Sequence, residues 1–194
     1  LMPRLGDFLA RHPGIQVNLT TKTAPFDFRA ANLHAAIHYG RPNWPGAECT
    51  YLMGEMVTPV CSPRFKEQHG ISESADLTDL RLLHITSRPG AWKAWFGAQG
   101  ITIGEHGGMV CEQFLTAAQA AVADLGVALL PRFLVEYELA RGELVLAVDR
   151  PHRSPYGYYL AVPRDRVRAT PVVAFRQWLL ETIAAASETA TDGD

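Results

Sequence analysis

Polar residues collect at four places along the chain, each directly after an apolar or alternating run: Thr20-Thr21-Lys22-Thr23, Tyr39-Gly40, Thr86-Ser87 and Glu112-Gln113. In open α/β sheets ligands sit outside the carboxyl ends of the strands, beside the starts of helices. Hydroxyls, an amide and free helix N-terminal N–H groups at such places favour a carboxylate or another small anion. Thr21 and Thr23 suit turn capping equally well. Trp92 and Trp95, three apart, fit either core packing or the aromatic wall of a ligand cleft. Tyr156, Tyr158 and Tyr159 crowd one strand end, and alternation sends Tyr158 and Tyr159 to opposite faces.

Other chemistries find little support. His34 and His38 stand four apart, but no cysteine or carboxylate lies beside them at a metal-ligand spacing, so no metal is expected. The glycines of "GEHGG", residues 104 to 108, have the wrong spacing to cradle a phosphate and read as a turn before a strand. GxSxG, P-loop, HExxH and GxGxxG motifs do not occur. No enzyme and no cofactor are indicated. Cys49, Cys61 and Cys111 are too few and too scattered for a disulfide framework or a CxxC site, and reduced thiols in a cytoplasmic protein are expected.

The elements that must position these residues follow from periodicity. Residues 2 to 12 have apolar residues at helical spacing, and "IQVNLT", 15 to 20, alternates as a half-buried strand. "DFRAANL" suggests a short helix, "AAIHYG" a strand closed by Gly40, and 51 to 62 an extended run. Ser62 and Pro63 open a helix that Gly70 ends. "RLLHI" and "GGMVCE" are strands, with the helix "AWKAWFGAQG" between them. A helix from 114 stops at Gly126, "VALL" is a buried strand, and Pro131 to Gly142 is a further helix. "ELVLAV" and "GYYLAVP" are strands, and residues 170 to 186 form a closing helix. This alternation predicts an α/β chain with largely parallel sheets.

Composition is ordinary for a globular protein with a sizeable core. The 194 residues are 47% hydrophobic and 20% charged, with a net charge of -2. A general basic field for nucleic acid is therefore absent. The apolar stretch 119 to 142 is interrupted by Gln119, Asp124 and Arg132, too often for a membrane span, and no secretory signal is evident.

The ordered set "LMPRLGDFLARHPGIQVNL", "LHAAIHYG", "VTPVCSPRF", "AAVADLGVALLPRFLVEYELARGELV", "YYLAVP" and "FRQWLLE" resembles the effector-binding domain of LysR-type transcriptional regulators. The likeness is greatest to the subgroup of the glycine-cleavage activator and the β-lactamase regulator. It implies an α/β, periplasmic-binding-protein-like (type 2) fold of two α/β lobes joined by two crossover strands. Lobe 1 would be residues 1–57 plus 160–194 and lobe 2 residues 58–159. It also implies a small-molecule effector between the lobes and adds Asp27, in "APFDF", and Tyr158, in "YGYYL", to the effector-binding set of Thr21, Thr23, Tyr39, Thr86, Ser87, Trp92, Glu112 and Gln113. Asp27 serves equally as a helix cap. His34 departs from the family's acidic residue before the "AIxYG" strand. The family's first strand and loop, and its winged-helix DNA-binding part, are not in this chain. Operator DNA and RNA polymerase are thus partners only through a full-length protein, and no membrane is involved. A homodimer or homotetramer is implied, with helix 2–12 of one subunit against helix 114–125 of the other, whose alanines permit close approach. A solute-binding receptor of the same fold, or an enzyme on a related bilobal fold, are the rival readings.

Overall fold

A computed structural model describes residues 2–22, 26–104 and 107–191. Along the chain run α1 (Met2–Arg11), β1 (Ala36–Gly40), β2 (Ala47–Cys61), α2 (Pro63–His69), β3 (Leu82–Ile85), α3 (Ala91–Ala98) and β4 (Gly108–Cys111). Then follow α4 (Phe114–Val122), β5 (Val127–Pro131), α5 (Glu136–Ala140), β6 (Val145–Leu146), β7 (His152–Pro163) and α6 (Thr170–Thr191). The chain divides into two compact units, Leu1–Gly54 with Pro155–Asp194, and Glu55–Ser154. The divisions fall inside β2 and β7, the two longest strands. No helix among the described residues is long and apolar enough to cross a membrane.

In the first unit β1 pairs antiparallel with β7, Ala36 opposite Ala161 and Gly40 opposite Gly157, and β7 also neighbours β2. The apolar stripes of α1 and α6 close a core with Leu52, Leu160 and Val162. Phe8 is fully buried there, edge-on to Phe175 with ring centres 5.5 Å apart and 5.2 Å from Trp178. In the second unit β3 lies between β4 and β5 and is parallel to both, while β2 pairs antiparallel with β5 and β6. One core cluster gathers Phe65, Leu77, Trp92, Trp95 and Phe96, and another gathers the alanines of α4 with Val60, Leu83 and Leu130. All five residues of β5 are buried, as its unbroken apolar run requires.

Several expectations need correction. Parallel pairing joins β3 to β4 and β5, while β1 with β7 and β2 with β5 and β6 are antiparallel, so the pairing is mixed. Residues 15–20 form no ladder: Ile15 and Val17 do face the first unit's core, but a strand also needs a paired neighbour, and none pairs with them among the described residues. "DFRAANL" is a run of turns rather than a helix. Pro131 ends β5 opposite Val57 instead of opening a helix, and the following pattern splits into a 3-10 turn, Arg132–Leu134, and α5. The break is at Val135, whose backbone (φ -123, ψ 14) leaves the helical region while its side chain enters the core. "ELVLAV" shrinks to the two residues of β6.

Gly126 does not provide the left-handed stop of α4; Asp124 does, at φ 62. A Cβ at Gly126 would lie 2.3 Å from the Arg81 carbonyl oxygen, so this glycine is needed for close approach of β5 to the start of β3. Ala117, Ala118, Ala120 and Ala121 are buried inside their own unit, so the smooth alanine faces of α4 are not open to a second subunit.

Candidate functional site

The second unit assembles the clearest polar edge. Thr86 follows β3 and donates twice to the Cys111 carbonyl oxygen of β4, from its backbone N at 2.9 Å and from Oγ1 at 3.2 Å. These bonds hold together the carboxyl ends of two parallel strands. The next residues on each side, Ser87 and Glu112-Gln113, are exposed. Gln113 is the extended N-cap of α4, and its side chain makes no capping bond. First-turn N–H groups have no intrahelical acceptor, so this end of α4 is a donor site with the positive end of the helix dipole.

A buried ion pair supports that edge, and sequence reasoning missed it. Arg88 Nε and Nη2 donate to the two carboxylate oxygens of Glu55 at 3.2 and 2.9 Å, with the Glu55 side chain 1% exposed. Arg88 Nη1 donates at 3.2 Å to both the carbonyl and the hydroxyl oxygen of Ser87. The guanidinium lies 5.1 Å from the centre of the Phe114 ring, at the first residue of α4. One cation thus braces Ser87 and contacts α4, and Glu55 neutralises it. The signal was present in the sequence. Period two, read backward from Val57, places Glu55 inward, and a buried carboxylate demands a cation.

In the first unit Tyr39 and Tyr158 are ladder partners with ring centres 5.2 Å apart, and Tyr156 joins them at 5.9 Å from Tyr39. Arg41 stacks on Tyr156 at 5.8 Å. Tyr159 lies on the other face with Tyr51, at 5.5 Å. His38 packs edge-on to Trp44 at 5.1 Å and crowds Gly40, where a Cβ would meet Nε2 at 2.7 Å. Burial lowers the His38 pKa against a backbone hydrogen bond with Arg41 that raises it.

The remaining expected site residues divide. Thr21 is exposed, and Thr23 lies outside the described residues. Asp27 caps a turn, its Oδ1 accepting from Ala30 N at 2.7 Å, and lines a cavity of about 650 Å³ with Phe26, Phe28 and Trp44. Trp92 is a core residue rather than a ligand wall. It is 4% exposed, its indole N–H donates to the Leu83 carbonyl at 3.0 Å, and its ring packs on Trp95 and Phe96. The described residues contain no group of three or more side chains arranged to hold a metal ion.

Comparison with known proteins fits this geometry. The sequence profile described as the LysR substrate binding domain matches residues 1–184. The glycine cleavage system transcriptional activator of Escherichia coli (strain K12) is 32% identical over 190 residues, 97% of this chain and 62% of the relative. The transcriptional activator AmpR of Pseudomonas aeruginosa is 34% identical over 188 residues, 95% of this chain and 62% of the relative. This chain therefore spans about 62% of the length of those curated relatives. Among solved structures, the effector domain of Pseudomonas aeruginosa AmpR superposes with a TM-score of 0.88 at 31% identity, covering 98% of this chain and 91% of that one. The AmpR effector binding domain of Citrobacter freundii gives 0.84 at 26% identity, covering 95% and 91%. The fold is the periplasmic-binding-protein-like fold of those domains.

Proposed function

Because the chain belongs to the LysR substrate-binding domain family, we propose that it is the ligand-sensing part of a longer transcription regulator and that a small carboxylate-bearing effector anchors on its second unit. The observation that carries this reading is the double hydrogen bond from Thr86 to Cys111, which sets two strand ends beside the donor end of α4. Ser87 and Gln113 would bind the carboxylate, and Thr86 would join them by turning its hydroxyl from the Cys111 carbonyl to the ligand while its backbone N keeps the two strand ends together. Glu112, a carboxylate itself, would read a cationic or hydroxyl group elsewhere on the ligand. Thr21, Tyr39 and Tyr158 are the contacts proposed for the first unit.

The chain senses this effector and does not turn it over. Ligand-dependent preference for one of two states biases the assembly. In the longer protein the domain works as a homodimer or homotetramer in the cytoplasm, and operator DNA and RNA polymerase are met through other parts of that protein.

A thermal-shift screen of amino acids and short peptides identifies a ligand, and calorimetric titration of Thr86→Ala and Gln113→Ala then tests the site. Each lost charge-assisted hydrogen bond is expected to weaken binding roughly tenfold or more, about 1.5–3 kcal/mol. Unchanged affinity in both folded variants would refute the anchor.

A further inference from the structure

Among the described residues, those that line the cavity beside Asp27 all belong to the first unit, and none comes from the Thr86–Gln113 edge. At about 650 Å³ it lies within the size range of small-molecule sites, roughly 300–1,000 Å³. Phe26, Phe28 and Trp44 stand mutually 5.1 to 5.2 Å apart. Phe28 is buried, while Phe26 and Trp44 keep part of their surface open. The Arg164 backbone N donates to the Gly46 carbonyl at 3.2 Å and fixes the opposite wall.

Four charged residues among the described ones line this space, two of each sign. Arg29 and Asp165 satisfy each other at 3.1 Å. Among the described residues Arg164 has no ion-pair partner, and Asp27 has only its Oδ1 engaged, by Ala30 N. One cation and one carboxylate are therefore left over beside an aromatic surface. A purely anionic ligand would face Asp27, and a purely cationic one would face Arg164. A ligand carrying both charges and a flat apolar group meets all three features.

We propose that this cavity is a second ligand site that takes a free aromatic α-amino acid. Arg164 binds its carboxylate, the Asp27 Oδ2 its ammonium, and Phe26 and Trp44 its ring. Charge-assisted pairs set the orientation and ring contacts supply apolar burial.

The test is calorimetric titration of the chain with L-phenylalanine, 3-phenylpropionate (no ammonium), phenethylamine (no carboxylate) and glycine (no ring). L-Phenylalanine should bind roughly tenfold or more tighter than each of the other three. Arg164→Ala should reduce its affinity to that of phenethylamine. Asp27→Asn keeps a capping side chain and should reduce it to that of 3-phenylpropionate. Gln113→Ala should leave it unchanged. Absence of saturation by roughly 10 mM ligand, equal binding of glycine, or indifference to Arg164→Ala overturns the proposal. Loss in Gln113→Ala with none in Arg164→Ala also overturns it and instead places the amino acid on the second unit's edge. Both exchanges in the cavity are at exposed positions, so circular dichroism should show the folded chain in every case.

Discussion

Arg88 holds Glu55 through two nitrogens, at 3.2 and 2.9 Å, and the same guanidinium holds the Ser87 carbonyl and hydroxyl at 3.2 Å. A charge pair inside the core thereby sets the loop that carries the proposed anchor. The pair is neutral as a whole, so its presence beside Thr86 adds no net charge. Its role is to fix geometry, and the donors left for an anion are those of the hydroxyls and α4.

Removing one partner leaves the other charge buried. Glu55→Ala should therefore cost about 3–5 kcal/mol of folding stability. The double variant Glu55→Met with Arg88→Met should recover much of that loss, because the penalty is for an uncompensated charge rather than for a missing attraction. Urea denaturation midpoints of the three proteins decide the point. If the double variant is no more stable than the single one, the pair contributes real attraction and the argument fails. Ligand affinity in the double variant should still fall, since Ser87 loses its brace.

Gly126 and Gly100 separate two reasons for a glycine. Gly100 has φ +74 with nothing within 4 Å of an added Cβ, so Gly100→Ala should cost about 1–2 kcal/mol of backbone strain. At Gly126, φ is +152 and the added atom meets a backbone oxygen at 2.3 Å. That oxygen also accepts the hydrogen bond from Val127 N that opens β5, at 2.9 Å. Strain and steric displacement together should cost roughly 3 kcal/mol or more. Thermal melts of the two variants should rank in that order, and a smaller shift for Gly126→Ala would refute the close approach.

The sequence carried the elements whose pattern is set by local chemistry. Ser62-Pro63 and Gly70 bound α2 as expected, with Ser62 Oγ accepting from Phe65 N at 2.9 Å and Gly70 left-handed at φ 59. β5 was legible because a strand covered on both faces must be apolar throughout. What failed depended on partners distant in the chain. Residues 15–20 carry strand periodicity, but pairing is not written in one segment. Pro131 has the chemistry of a helix start, yet the ladder with β2 claims it. Trp92 is amphipathic enough for a cleft, but the Leu83 carbonyl takes its indole N–H and the rings of Trp95 and Phe96 cover it, which makes it core. The positions of Thr86 and Gln113 just past the ends of β3 and β4 were legible, because they follow from the strand pattern alone. Arg88 was not, since its partner lies 33 residues away.

Burial raises the Cys61 thiol pKa to about 11, against a lowering from Lys66 and with a further rise from Asp124, and burial raises that of Cys111 too. Thiolates are the reactive form, so Cys61 and Cys111 should resist a thiol reagent at pH 8, while half-buried Cys49 reacts first. One fast equivalent per chain, with the other two released by urea, is the expected count. The sign for stability follows from the raised folded pKa. The neutral Cys61 thiol favours the folded state fully below the ordinary thiol range, and this contribution is lost as pH rises toward about 11. A fast second equivalent in the folded chain would show that Cys61 or Cys111 is more accessible than its burial implies.

The proposed homodimer pairs α1 of one subunit with α4 of the other, and the structure changes the reason for it. The alanines of α4 are spent inside the second unit, so close helix approach is not the attraction. What α4 presents outward is Leu115, 65% exposed, and neighbouring β4, last in the strand order of the described residues, presents Met109 and Val110. From α1, Leu9 is exposed as well. Apolar side chains on two separate elements, α1 and the α4–β4 edge, suit an isologous contact in which each element meets the other across a two-fold axis. Such an interface should bury more than about 1,200 Å². Light scattering at micromolar concentration should give about twice 21.3 kDa. Leu115→Glu places a charge at the centre of the contact without touching either core and should return the chain to a monomer, and Leu9→Glu should do the same from the other side. A wild-type chain that scatters only as a 21.3 kDa species, or a dimer indifferent to both charges, would rule out this pairing.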